Sequence, residues 1–101
     1  MLRQETVSSR EVILIVSGPL SGPAVDEFQV KMDDLCSGRF LKVTLDLSQS
    51  PSINSAALGK LLMFRKKLEE QGGILQIAGC SDGIYRVFKA IKFERLIPVQ
   101  K

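Results

Sequence analysis

The 101-residue chain contains no histidine. That removes the commonest general base and the commonest zinc ligand. Ser52 and Ser55 could act as nucleophiles only with a base to activate them, and no histidine can do so. The acids Asp46 and Asp82 stand isolated in sequence. Cys36 and Cys80 are far apart and form no Cys-x-x-Cys pair, so they read as buried free thiols rather than a metal or redox centre. The turn Gly18-Pro19-Leu20-Ser21-Gly22-Pro23 lies between a strand-like and a helix-like segment, where a phosphate cradle would sit. It lacks the Lys-Ser/Thr ending of a P-loop, and its two prolines remove backbone donors. It reads as a strand-to-helix turn. No catalytic residue, metal or cofactor is expected, and the residue chemistry points to binding.

One segment asks for more. In Pro51-Ser52-Ile53-Asn54-Ser55-Ala56-Ala57-Leu58-Gly59, Asn54 or Ser55 is a natural helix cap. Capping does not explain Gly59. A glycine inside a helix costs about 1 kcal/mol relative to alanine, and it marks a close approach by another backbone or by a partner. Ala56, Gly59, Lys60, Met63 and Lys67 follow helical spacing on the face opposite Leu58, Leu61 and Leu68. An exposed methionine on a stripe of small residues is a candidate contact surface; a core position for Met63 is the competing reading.

The elements that must position these residues follow from periodicity. Glu5–Val7 is a candidate short strand and Ser8–Arg10 its turn. Glu11–Val16 is β-branched and compact, a strand with both faces largely covered. Val25, Phe28, Met32 and Leu35 form one helical stripe that Gly38 stops. Leu41, Val43, Leu45 and Leu47 alternate with Lys42, Thr44, Asp46 and Ser48, a strand with one apolar and one polar face. A strand covered by helices on both sides would be apolar throughout, so the helices are expected on one side only. A second helix spans about Ser55 to Gln71, with Ala57, Leu58, Leu61, Leu62, Phe64 and Leu68 as its apolar face, and Gly72-Gly73 ends it. Ile74–Ala78 is the next strand. Ile84, Val87, Phe88 and Ile91 mark a third helix capped by Ser81 or Asp82, and Leu96–Val99 a final strand that Pro98 places at an edge. The order ββαβαβαβ predicts a single α/β domain over residues 1–101, α+β-like, with a small mixed sheet of four to five strands and helices on one face.

Composition agrees. The chain is 45% hydrophobic and 25% charged, as in ordinary globular domains. Residues 1–50 hold five Lys/Arg against seven Asp/Glu, and residues 51–101 nine against four, so the net +3 resides in the second half. Its basic residues lie scattered along helices, the pattern of a solvated face. With one tyrosine, five phenylalanines mostly at core spacing and no tryptophan, little is left for base stacking, and no nucleic-acid partner is expected. The longest wholly apolar run, Val12–Val16, is far short of a membrane span. With no leader pattern at the start, a cytoplasmic protein is expected.

Three stretches carry a resemblance. Val43-Thr44-Leu45-Asp46-Leu47-Ser48, Ile53-Asn54-Ser55-Ala56-Ala57-Leu58-Gly59 and Gln71-Gly72-Gly73-Ile74-Leu75-Gln76-Ile77-Ala78-Gly79 resemble, in order and spacing, the STAS domain of bacterial anti-sigma factor antagonists. Gly18-Pro19-Leu20-Ser21 sits where that family has Gly-Glu-Leu-Asp. The resemblance implies a non-enzymatic, STAS-type binding module that engages a kinase-type anti-sigma factor, is phosphorylated on a serine at the start of the second helix, and is reset by a serine phosphatase. Taken with the small-residue stripe, the expected contact residues are Ser21, Asn54, Ser55, Ala56, Gly59, Lys60 and Met63. The family's acceptor serine aligns with Ala56, which cannot take phosphate. The switch is then either shifted to Ser55 or lost, and loss is the expectation. The alternative within the same fold is a structural subunit of a sensory assembly or of a lipid-transport complex, and a homodimer is compatible with either.

Overall fold

The computed structural model describes residues 2–38 and 40–100. Its strands are β1 (Leu2–Thr6), β2 (Glu11–Ser17), β3 (Lys42–Gln49) and β4 (Ile74–Cys80); its helices are α1 (Pro23–Ser37), α2 (Ser55–Glu70) and α3 (Asp82–Ala90), followed by a 3-10 turn at Phe93–Arg95. The four strands form one sheet in the order β1-β2-β3-β4. β1 and β2 make an antiparallel hairpin, while β2–β3 and β3–β4 are parallel pairs joined through helices, as crossover connections require. The strand expected at Glu5–Val7 lies earlier, at Leu2–Thr6, with Val7 opening the turn.

Alternation along β3 sorts the two faces. Val43 and Leu45 are level with Val12 and Leu14 of β2 and with Leu75 and Ile77 of β4, and all are buried against the helices. Lys42, Thr44 and Asp46 are level with Glu11, Ile13 and Ile15 and point to the helix-free side, as expected. That face is not uniformly wet. Thr44 is buried and its hydroxyl accepts from Gln76 Nε2 at 3.1 Å, so the polar group is satisfied.

α1 inserts its expected stripe into the core, whereas α3 buries Ile84 and Phe88 but leaves Val87 half-buried and Ile91, expected on the same stripe, exposed just past the helix end. α1 buries Val25, Phe28, Met32, Leu35 and Cys36, and starts with Pro23 at its first turn, a position whose N–H has no helical partner in any case. Gly38 stops it with φ −91°, an ordinary right-handed value. α2 buries Ala57, Leu61, Phe64 and Leu68. Phe28 and Phe64 meet edge to face at 5.9 Å where α1 and α2 cross. Beside them Lys67 pairs with Asp33 of α1 at 3.3 Å. Lys67 is exposed, as expected of the stripe, and from there it also bridges to α1. Leu62, expected on the apolar face, is exposed. Gly72, at φ +80°, turns the chain out of α2 in a conformation that suits glycine.

The last expected strand is absent as a strand. Leu96 and Ile97 are held by the 3-10 turn, their N–H groups donating to Phe93 O at 2.9 and 3.1 Å. What remains is a single parallel bridge between Ile77 and Val99. Pro98 does lie at the sheet edge, as expected.

Candidate functional site

The candidate site is built where the chain leaves β2, β3 and β4. Register shifts fall at Ile15–Ser17 on the β2–β3 pair and at Leu45–Asp46 on the β3–β4 pair. They interrupt the ladder at the end that carries the loops. Beyond the ladder the loops are tied to one another as well as to β3, where Gly18 N donates to Gln49 O at 3.1 Å. Leu20 N donates to Ser52 O at 2.9 Å, and Asn54 N donates to Leu20 O at 3.2 Å, so the Gly18 turn runs beside the loop that leads into α2. Ser50 is fully buried between them; its hydroxyl donates to Gly18 O at 2.7 Å, with Ser52 O also within 3.2 Å. From the third loop, Ser81 Oγ donates to Ser50 O at 2.6 Å and accepts from Ile84 N, capping α3. One buried serine and one cap thus link all three connections into one platform.

α2 rises from that platform. Asn54 is its cap: Oδ1 accepts from Ala57 N at 2.9 Å. Ser55 is therefore released from capping. Its side chain is exposed and makes no hydrogen bond among the described residues. Ala56 follows, also exposed. Both lie in the first turn, where backbone N–H groups lack helical partners and the helix dipole favours negative charge.

Further along the same face Gly59 and Met63 are exposed, and Met63 is 39% accessible, so the core reading of Met63 fails. Leu62, 36% accessible, extends the patch; periodicity had placed it inward. Among the described residues, no atom outside the helix comes within 4 Å of where a Cβ on Gly59 would sit. No contact among the described residues needs a glycine there. Lys60 and Ser21 are both half-buried. Lys60 follows Gly59 on α2, and Ser21 lies on the neighbouring turn before α1. The structure thus brings Asn54, Ser55, Ala56, Gly59 and Met63 together on one surface, with Lys60 and Ser21 at its margins.

Among the described residues no group of histidines, cysteines and acids could hold a metal ion, and no helix is long and apolar enough to cross a membrane. Cys36 and Cys80 are free and buried. Burial pushes the Cys36 thiol above its ordinary pKa, with Lys67 opposing and Asp33 adding to the shift.

The profile of the STAS domain matches residues 3–101. The chain belongs to the STAS family. Solved structures share its fold. The STAS domain described here matches the anti-sigma factor antagonist SpoIIAA of Bacillus in its unphosphorylated form with a TM-score of 0.85 and 18% identity, over 100% of this chain and 89% of the other. It matches an anti-sigma factor antagonist from Mycobacterium paratuberculosis at 0.87 and 15% identity, over 98% and 83%. A sulfate transporter family protein from Wolinella succinogenes matches at 0.71 and 19% identity, over 90% and 74%. No curated protein matches the chain.

Proposed function

We propose that this STAS domain is a non-enzymatic binding module of the anti-sigma factor antagonist type, acting in the cytoplasm. It engages a kinase-type anti-sigma factor through the exposed face of α2 and the platform beneath it. The observation that carries the reading is Gly59. A solvent-facing glycine in mid-helix lowers helix stability, no contact among the described residues requires it, and it stands between exposed Ala56 and Met63. A partner backbone seated on the helix would use that space.

The second part of the proposal is that the serine switch is lost. The position that would accept phosphate is Ala56, so the surface stays permanently in its unmodified form. Ser55 is the only rival acceptor at the helix start. Its freedom from capping makes it a fair competitor, and the lost-switch reading rests on Ala56 alone.

The likeness to a transporter-family protein supports a second reading, a structural STAS subunit of a membrane assembly. Titration calorimetry of this domain against the kinase-type anti-sigma factors of its own organism separates the two. Binding that Met63→Glu weakens about tenfold or more supports the first. No binding to any of them, with capture of a transport component by the same face, supports the second.

A further inference from the structure

The sheet ends differently on its two sides. Beyond β4, Ile77 is already paired: its N–H donates to Pro98 O and its carbonyl accepts from Gln100 N, both at 2.8 Å. Beyond β1, nothing among the described residues pairs with Leu2–Thr6. Arg3, Gln4, Glu5 and Thr6 are all exposed. An open edge is a template for another strand.

The hairpin fixes which groups of β1 are unpaired. Thr6 is level with Val12, and Val7 N donates to Glu11 O at 2.9 Å. Hydrogen-bonded and non-hydrogen-bonded pairs alternate along an antiparallel ladder. Residues 3 and 5 therefore turn their backbone groups inward to β2, while Leu2, Gln4 and Thr6 turn theirs outward. Side chains alternate too. Leu2, Gln4 and Thr6 lie on the helix side, level with Val16, Leu14 and Val12; Arg3 and Glu5 lie on the helix-free side, 3.4 Å apart.

We propose that β1 is a self-pairing edge: two copies of this chain join β1 to β1, antiparallel, about a two-fold axis at Gln4. In that register each Gln4 exchanges backbone hydrogen bonds with its counterpart, and Leu2 does so with the second copy's Thr6. Arg3 falls directly opposite the second copy's Glu5 at a non-hydrogen-bonded position, where side chains come closest. Symmetry forms that pair twice. Moving the axis to residue 3 would oppose Arg3 to Arg3, and moving it to residue 5 would oppose Glu5 to Glu5. Like charges directly opposed are unfavourable, so the charges select the register. The contact is isologous, the commonest way for identical chains to associate. It also brings the second copy's Thr6 to the mouth of an apolar groove that Leu2 forms with α1, where Val30 is 63% exposed. α2 packs against β4, at the other side of the sheet, so its exposed face stays open for a partner.

The test is sedimentation velocity over a concentration series at low salt, with circular dichroism and melting curves to establish that each variant is folded. Wild type should show reversible dimers. Arg3→Glu and Glu5→Arg, each alone, should raise the dissociation constant about tenfold or more, because each opposes like charges. An equimolar mixture of the two variants should dimerise again, since every cross-strand pair is then opposite in sign. Wild type that stays monomeric throughout the series overturns the proposal. So do single variants that dimerise as wild type does, or a mixture that remains monomeric while both variants are folded.

Discussion

A Cβ placed on Gly83 would lie 2.6 Å from the carbonyl oxygen of Pro51. The first turn of α3 thus rests directly on the loop that leads into α2, and only a residue without a side chain allows that approach. Gly59 is the opposite case, with open space around it. The two helical glycines should respond to alanine with opposite signs. Gly83→Ala forces the backbone of the α2 loop to move and should lower stability by about 1–2 kcal/mol, overpacking outweighing the gain in helix propensity. Gly59→Ala should raise stability by about 0.5–1 kcal/mol. Urea unfolding of both variants checks the pair, and a stabilised Gly83→Ala protein would refute the packing account.

Met63 and Phe64 are adjacent in sequence and separated by the helix. Phe64 is fully buried and Met63 exposed. Phe64→Ala should cost about 3–5 kcal/mol. Met63→Glu should leave the melting temperature nearly unchanged while reducing binding of an anti-sigma factor. A Met63→Glu protein that melts far below wild type would show that this side chain serves the core.

Phosphorylation can be read by intact mass after incubation with a cognate kinase and ATP. We expect no added phosphate on wild type or Ser55→Ala, and one on Ala56→Ser. A phosphate on wild type that disappears in Ser55→Ala would make Ser55 the regulatory site. The freed hydroxyl of Ser55 makes this a real contest, because Asn54 alone supplies the cap.

The Cys36 thiol has its pKa raised by burial. The thiol is protonated in both folded and unfolded chains at neutral pH, so it leaves stability unchanged there. Once pH rises past the ordinary thiol range, the unfolded chain releases its proton first, and stability falls until the folded thiol also ionises. Denaturant midpoints measured from neutral to alkaline pH should decline, and Cys36→Ala should flatten that part of the decline. An unchanged slope would remove Cys36 as its source.

Where a signal was local, the sequence was readable. The alternation from Leu41 to Ser48 set the one-sided layer, and the stripe Val25, Phe28, Met32, Leu35 set α1, because both depend only on which neighbours along the chain are apolar. The cap at Asn54 was equally visible. The platform was not. Ser50 reaches Gly18 across 32 residues and Ser81 reaches Ser50 across 31, and no periodicity encodes such contacts. Gly83 carried the same sign as Gly59, a glycine in a helical segment, and went unread. Leu62 was misplaced because the width of an apolar face does not say where its neighbours stop. The strand at Leu96–Val99 failed because the 3-10 turn claims the amides of Leu96 and Ile97 before Pro98 interrupts any ladder.

The single bridge between Ile77 and Val99 has a further effect on how large an assembly can become. With Pro98 and Gln100 occupying the backbone of Ile77, the middle of the β4 edge is covered and long strand addition there is obstructed. A sheet open on both sides could extend without limit, chain after chain, into a fibre. A sheet open on one side can join only once, and the joining consumes its sole free margin. Under the β1 pairing proposed above, growth would favour two copies over a fibre, with the segment around Val99 standing against further addition at β4.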